Sequence, residues 1–295
     1  PGHLELLFGA TALPHPGKRQ SGGEDAFFAD TSIGAFGVAD GVGGSATDTI
    51  DPGEFSRQML KLCHDSLCSS DDGLRGAVVE AAEAFDAQSD AVGGSATLLL
   101  GQLAPETGSL QLLNVGDSTV LVLRPSRRRL HGYNEPVRWP RLVARTHEAQ
   151  HYFNCPYQVS ASTLVEECST NADELAVAVR PGDVLLAVTD GVTDNLFDAH
   201  IQEMLAAHLR EILDADPAAC AAGLEAFSGS LARTANAIGS RQDDPSTRTP
   251  FGESARGEGY VMEGGKLDDV AVVCAVVRDA SHARRRTGDA VLHNF

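Results

Sequence analysis

Positive charge is scarce in this chain. Over 295 residues, 23 Lys and Arg face 41 Asp and Glu, a formal net charge of −18. Nucleic-acid binders need the opposite excess to neutralise phosphates, so no nucleic-acid partner is expected, and anionic membrane surfaces are an equally poor match. Long apolar runs are missing too: none approaches the ~18 residues of a membrane-spanning helix, so no membrane insertion is expected. The six cysteines, at 63, 68, 155, 168, 220 and 274, form no C-x-x-C pair, and there is no N-x-[ST] sequon. They are too sparse for a disulfide scaffold, and Cys274 sits inside the apolar run 270–277, where a buried thiol is expected. A reducing, intracellular compartment follows. No Cys-x5-Arg loop suggests a phosphocysteine route. The chain begins at Pro1 rather than Met, so the lack of a targeting peptide carries no weight.

What remains is globular: 42% hydrophobic and 22% charged residues, with no repeat of fixed period and no linker. The pattern predicts strands over 4–10, 24–30 and 33–39. A helix follows over about 51–68, with Asp51 as cap, Pro52 at its first position and Glu54 closing a capping box. A second helix is expected over 74–90. Close-set strands follow at 95–103, 109–115 and 118–124, then an irregular proline-broken stretch over 125–160. Strands at 173–179 and 183–189 flank the Pro181-Gly182 turn. Helices are expected over 198–213, capped by Asp198, and over 217–238, then a loop over 239–266 and a last strand over 270–278. Hairpin-length links favour antiparallel pairing, and helix pairs between groups of strands point to an α+β fold with helices packed outside sheets. One domain, 1–279, is expected, with a loose charged tail over 280–295.

Three strand-like runs, 33–40, 110–117 and 184–190, end on Asp40, Asp117 and Asp190, and a fourth, 270–277, is preceded by Asp268 and Asp269. Runs this apolar are normally buried. A carboxylate at the lip of such a strand costs several kcal/mol, about 2–7 even for a neutral polar group, unless something neutralises it. Several of them together suggest convergence on cations. With Glu24, Asp25 and Asp194 they form an oxygen-only donor set, which selects Mg²⁺ or Mn²⁺ over structural zinc. Two such ions can activate water and clamp both ends of an in-line displacement at phosphorus. Gly41, Gly116 and Gly191 stand beside these acids and let backbone approach closely. The plainer reading of each Asp-Gly pair is a turn.

Six ordered segments, GGEDAFF (22–28), GVADGVGG (37–44), GGSATLLL (93–100), LLNVGDSTVLV (112–122), LLAVTDGVTDN (185–195) and GGKLDDVAVV (264–273), resemble the motifs of the metal-dependent type 2C serine/threonine protein phosphatases. Residues 146–160 and 249–254 resemble the branch that includes mitochondrial members. The resemblance implies a four-layer α-β-β-α sandwich of two antiparallel sheets flanked by helix pairs, and hydrolysis of phosphoserine and phosphothreonine in phosphoproteins. It implies that Asp40 bridges two Mn²⁺ or Mg²⁺ ions, that the Gly41 carbonyl binds one, and that Asp190 and Asp268 ligate the other. Glu24 and Asp25 match acids that hold metal-bound waters. Asp117 and Asp194 match positions that hold a third ion in some members, and Asp269 stands where the family has Asn or Asp. Two positions depart from the pattern. Val42 replaces a histidine proposed as general acid, which leaves protonation of the leaving oxygen to water. Gln20 replaces a phosphate-gripping arginine, for which Arg19 is the candidate substitute, since a guanidinium binds phosphate through paired hydrogen bonds.

Competing readings exist. His147-Glu148-Ala149-Gln150-His151 fits the H-E-x-x-H zinc-protease pattern, with Glu166 or Glu167 as a third ligand; that chemistry requires a helix. A phosphatase-like fold kept as a catalytically weak binding module is the other alternative, motivated by Val42. Seven arginines within 124–145 could dock an acidic phosphoprotein or simply face solvent. Residues 239–263 are expected to form a mobile flap beside Asp268.

Overall fold

A computed structural model describes residues 3–47, 49–88, 92–129, 136–280 and 291–295. The first strands are β1 (Leu4–Leu13), β2 (Asp25–Asp30) and β3 (Ala35–Asp40), followed by helices α1 (Pro52–Ser69) and α2 (Gly73–Ala87). Strands β4 (Leu98–Ala104), β5 (Ser109–Val115), β6 (Thr119–Arg128) and β7 (Val137–Arg145) come next, then the short β8 (Gln150–Tyr152) and β9 (Cys155–Pro156). Helix α3 (Leu164–Thr170), β10 (Asp173–Ala178), β11 (Val184–Val188) and α4 (Asp190–Thr193) lead to α5 (Asp198–Leu213) and α6 (Pro217–Gly239). Helix α7 (Pro250–Gly257), β12 (Val270–Asp279) and β13 (Val291–His293) complete the order.

The long strands form two antiparallel sheets, β1-β12-β11-β6-β7 and β10-β5-β4-β3-β2-β13. Alternation along each strand divides its side chains between two layers. Phe36 and Val38 of β3, Leu185 and Ala187 of β11, and Leu6 and Phe8 of β1 point into the core between the sheets. Their neighbours Ala35 and Ala39 of β3 face α1 and α2, while Val184, Leu186 and Val188 of β11 face α5 and α6. Phe55, Met59, Leu60 and Cys63 of α1 close the outer face of the six-stranded sheet; Leu205, Leu209, Leu224 and Phe227 close that of the five-stranded sheet. The result is the four-layer α-β-β-α sandwich. Each fully buried Leu or Phe contributes about 1.5–3 kcal/mol.

Asp51 caps α1 as expected: its side chain accepts from the Gly53 N–H at 2.8 Å, with Pro52 as the first helical residue. Four expectations need correction. The stretch 125–160 is not irregular throughout, because β6 continues to Arg128 and pairs with β7, Pro125 lying opposite Pro140. β7 is the sheet edge, where a strand tolerates proline because one side needs no ladder donor. Short helices α3 and α7 occupy segments expected as loop or left unassigned. Asp198 is the first residue of α5, and Phe197 takes the cap position. Finally, β13 pairs with β2, so the end of the segment expected to be a loose tail adds a strand. Residues 89–90 of the expected second helix and 281–290 of the expected tail lie outside the described residues.

Candidate metal centre

Antiparallel pairing brings the aspartate-bearing strand ends to one rim of the sandwich. Asp25 opens β2 and lies directly opposite Asp40, which closes β3. β11 ends into Asp190, the first residue of α4, and β12, its antiparallel neighbour, begins just after Asp268 and Asp269. Asp117 sits in the turn between β5 and β6. The close approach at this rim depends on glycine. A Cβ on Gly191 would lie 2.0 Å from the Asp269 carbonyl oxygen, and one on Gly41 would lie 2.7 Å from that of Pro52.

Lys266 gathers one group of carboxylates. Its Nζ lies 2.5 Å from Asp190 Oδ2, 2.7 Å from Asp194 Oδ2 and 3.4 Å from Asp268 Oδ2. Asp40 and Asp194 lie close enough to Asp190 for their carboxyl groups to influence one another electrostatically. Lys18 gathers another, donating to Glu24 Oε2 at 2.6 Å and Asp269 Oδ2 at 3.0 Å. Asp269 further accepts the backbone N–H of His15 at 2.6 Å and of Glu24 at 3.1 Å. Both its oxygens are engaged, so it ties the β1–β2 connection to β12. Thr189 donates to Asp25 Oδ2 at 2.7 Å and accepts the Ala271 N–H at 2.9 Å, and Gln150 donates to Asp117 Oδ2 at 3.1 Å.

Crowded, desolvated carboxylates resist ionisation. Burial, then the charge of Asp269, pushes the Asp25 carboxyl well up. Burial with Asp25 and Asp190 does the same to Asp40, and burial raises Asp194. Asp117 is pushed up to about 7 by burial and Asp190, and Asp268 to about 6 by the same two causes. At Asp190 burial works in the same direction, but the charge and hydrogen bond of the Lys266 ammonium lead the interactions that together lower the carboxyl.

This donor set fits hard divalent cations. It contains oxygens only, and Oδ1 of Asp25, Asp117 and Asp190 is buried with no hydrogen-bond partner among the described residues. A buried carboxylate oxygen left so is costly and is relieved by a cation. The structure thus brings Asp25, Asp40, Asp190, Asp194 and Asp268 together, sets Asp117 at their edge, and places Glu24 beside them through Lys18 and the backbone bond to Asp269. Arg19 is exposed at the end of the 3-10 turn Pro16–Lys18; the cation from this turn that reaches the carboxylates is Lys18. Neither ammonium was anticipated in its role. The one signal for Lys266 was its place two residues ahead of Asp268.

The zinc-protease reading fails on local structure. Residues 146–149 are not helical and 150–152 are the strand β8, so His147 and His151 do not share a helical turn. Glu148 is bonded to Arg145 and Thr119, and His151 packs on Tyr157 with ring centroids 4.0 Å apart. Three of the seven arginines are paired within the chain: Arg124 forks onto Asp183 at 2.7 and 2.6 Å, Arg138 meets Asp214 at 2.7 Å, and Arg145 meets Asp198 at 2.8 Å. In the segment expected as a flap, Thr249 caps α7 and donates to the Gly264 carbonyl at 2.8 Å. Phe251, Val261 and Met262 line a cavity of about 620 Å³ that reaches Lys266.

No family model matches the chain. It is 34% identical over 275 residues to probable protein phosphatase 2C 55 of Arabidopsis thaliana, covering 93% of this chain and 52% of that protein. It is 31% identical over 290 residues to probable protein phosphatase 2C 26 of the same plant, covering 93% of this chain and 84% of that protein. The chain therefore spans about half the length of the first relative and most of the second. Among solved structures it is similar to the photosystem II phosphatase PBCP, with a TM-score of 0.71 and 26% identity over 92% of this chain and 98% of that one. Likeness of sequence over most of the second relative, and of fold over nearly all of the solved structure, carries one conclusion: the chain belongs to the protein phosphatase 2C family.

Proposed function

We propose that this chain hydrolyses phosphoserine and phosphothreonine in phosphoproteins at the carboxylate rim, with two Mn²⁺ or Mg²⁺ ions as cofactors. The reading rests above all on the convergence of Asp25, Asp40, Asp190 and Asp268, with buried partnerless oxygens on two of them. When bound, the ions supply a water ionised at neutral pH and offset charge at phosphorus. Asp40, the Gly41 carbonyl, Asp190 and Asp268 are the proposed ligands; Asp117 and Asp194 are proposed for a third ion.

The chain's own groups divide the remaining work. Asp25, oriented by Thr189, and Glu24 hold water in place through their oxygens. Val42 follows Gly41 where a proton donor would otherwise stand. It has no proton to give, so the leaving alkoxide takes one from water. Lys18 and Arg19 lie on the turn nearest Glu24 and supply positive charge toward an incoming phosphate. The binding-module alternative loses ground because every proposed side-chain ligand is still an aspartate. The stretches 146–160 and 249–254 support the branch that includes mitochondrial members, which cell fractionation tests. No described helix is long and apolar enough to cross a membrane.

The deciding experiment is turnover of a phosphothreonine peptide with Mn²⁺, with chelator, and in Asp190→Ala. Activity that needs the metal and disappears in the variant supports the proposal. Equal turnover in chelator, or none above the variant's background, overturns it.

A further inference from the structure

β2 begins at the carboxylate rim and ends on a second carboxylate in a different setting. Asp30, its last residue, is 2% exposed. Its Oδ1 accepts the Ser32 N–H at 2.8 Å and hydroxyl at 2.6 Å. Its Oδ2 faces His64 Nε2 at 2.9 Å. His64 and Cys68 stand four residues apart on α1 and so share one face of that helix. Cys68 Sγ lies 3.5 Å from His64 Nε2 and 3.9 Å from Asp30 Oδ2. Among the described residues, these three are the group of His, Cys or carboxylate side chains whose donor atoms all fall within 4.8 Å of one another.

Both the thiol and the carboxylate address the same ring nitrogen. A nucleophilic relay would need them on opposite nitrogens, and a single N–H cannot point at both. Three donors around one centre explain the triangle better. Zinc bonds of ~2.3 Å to sulfur and ~2.0–2.2 Å to nitrogen and oxygen, arranged tetrahedrally, set donor–donor edges of about 3.3–3.6 Å. The observed edges of 3.5, 2.9 and 3.9 Å lie within about half an ångström of that range. The imidazole is held in orientation by Phe28 and Phe295, whose ring centroids lie 5.0 and 6.4 Å from its own. Its Nδ1 is turned toward Asp65 Oδ1 at 3.9 Å, the side on which zinc-bound histidines carry a carboxylate partner. A cavity of about 640 Å³, lined by Ser32, Ile33, Leu67 and Ser70, opens beside Cys68. It provides an entry path and room for water.

We propose that Asp30, His64 and Cys68 form a zinc site distinct from the carboxylate centre, with one coordination position left to water. Thiolate and carboxylate together neutralise Zn²⁺, and the thiol proton is released to solvent on binding. The bound ion ties α1 to the end of β2. The proposal does not depend on the phosphatase reading.

Cobalt distinguishes the two centres. The carboxylate rim offers oxygen alone, so a sulfur-to-cobalt charge-transfer band in the near ultraviolet reports only a thiolate ligand. The full chain, stripped with chelator and held in excess Mg²⁺, is titrated with Co²⁺. The band is expected in the wild type, in Asp40→Asn and in Cys155→Ser, is expected to vanish in Cys68→Ser, and is expected to bleach when Zn²⁺ displaces Co²⁺. Zinc should raise the melting temperature of the wild type more than that of Cys68→Ser, the remaining rise in the variant coming from the carboxylate rim. No band in the wild type, or a band that survives in Cys68→Ser, overturns the proposal. Cys68 is exposed, so its replacement leaves the fold intact; His64→Gln serves as a second variant expected to lose the band.

Discussion

The two ends of β2 carry the same residue type and treat it in opposite ways. At the start of the strand, burial and neighbouring carboxylates push Asp25 well up, and one of its oxygens has no partner among the described residues. At the end, burial works in the same direction on Asp30, yet the Ser32 hydroxyl and N–H and the His64 imidazole outweigh it, and the carboxyl falls below its ordinary value. On one short strand, the difference is the count of donors. In the metal-free chain Asp30 stays ionised through Ser32 on Oδ1 and His64 on Oδ2, and the proposed zinc would take the place of the His64 bond. Among the described residues Asp25 has a single side-chain donor, Thr189, and a crowd of like charges. At Asp25 that shortage is what the proposed Mn²⁺ or Mg²⁺ would relieve.

The sharpest way to break the comparison is to remove a proposed ligand from each end. Asp190→Ala is expected to cut phosphopeptide turnover by about 10³-fold or more, beyond the ~10²–10³ lost with a single transition-state donor. Cys68→Ser should leave turnover within about twofold, since removing an exposed side chain away from the centre changes little. Steady-state rates with saturating Mn²⁺ measure both. An equal loss in the two variants would mean that the ends act as one site.

Lys266 is the next lever. Its ammonium stands among Asp190, Asp194 and Asp268, so it stabilises the metal-free rim and competes for the same oxygens. Breaking a buried pair by removing one partner costs about 3–5 kcal/mol. Lys266→Gln should therefore lower the melting temperature strongly in chelator and much less in Mn²⁺, while binding Mn²⁺ more tightly in a calorimetric titration. A drop of equal size in both conditions would make Lys266 a structural cation and nothing more.

The metal-free rim also sets a pH dependence. Asp117 and Asp268 have folded values raised to about 7 and about 6 from 3.8. A carboxyl raised on folding stabilises the fold fully below its unfolded value, and that contribution is lost as pH rises through the folded one. In chelator, stability should fall between about pH 4 and pH 8. Tenfold in proton affinity is worth about 1.4 kcal/mol, so the two groups together amount to about 7 kcal/mol at most, and to less because both respond to the charge of Asp190. Asp30, shifted the other way, loses its contribution only below about pH 4, where its unfolded form takes up a proton. Mn²⁺ should flatten the slope by taking the place of the protons. Melting temperatures across this range, with and without Mn²⁺, decide it; the same slope in both would refute the account.

The sandwich was legible because period-2 alternation and helical spacing are local, and because Asp51-Pro52 announces a helix start within its own first turn. The strand-end aspartates were legible for a related reason: an acid closing an apolar run is odd wherever it occurs. What escaped depends on closure of the whole chain. Lys18 meets Asp269 across 251 positions, and no pattern in either neighbourhood marks the pairing. β7 was hidden by Pro140 and its arginines, which read as a loop until the strand is seen to lie at a sheet edge and Arg124, Arg138 and Arg145 to be paired. The histidines at 147 and 151 had helical spacing in an extended segment, where it means nothing. Asp30, His64 and Cys68 are separated by a strand, a turn and most of a helix, so their meeting is a property of packing alone.

The smallest expected effect bears on Asp25 itself. Thr189 is its side-chain donor and at the same time accepts the N–H of Ala271 in β12, so one hydroxyl aligns the carboxyl with the strand that leads out of Asp268. Thr189→Val keeps the shape, removes both bonds and leaves every proposed ligand in place. Groups that orient ligands in this way change activity or metal affinity by about 10–100-fold when removed; the low end is expected here, because Asp25 is proposed to hold water rather than the ion. The loss should appear in kcat at saturating Mn²⁺, with Thr189→Ser restoring most of it. If Thr189→Val loses only stability, with kcat unchanged, the hydroxyl serves the fold, and Asp25 is held by the opposing end of β3 rather than by its one donor.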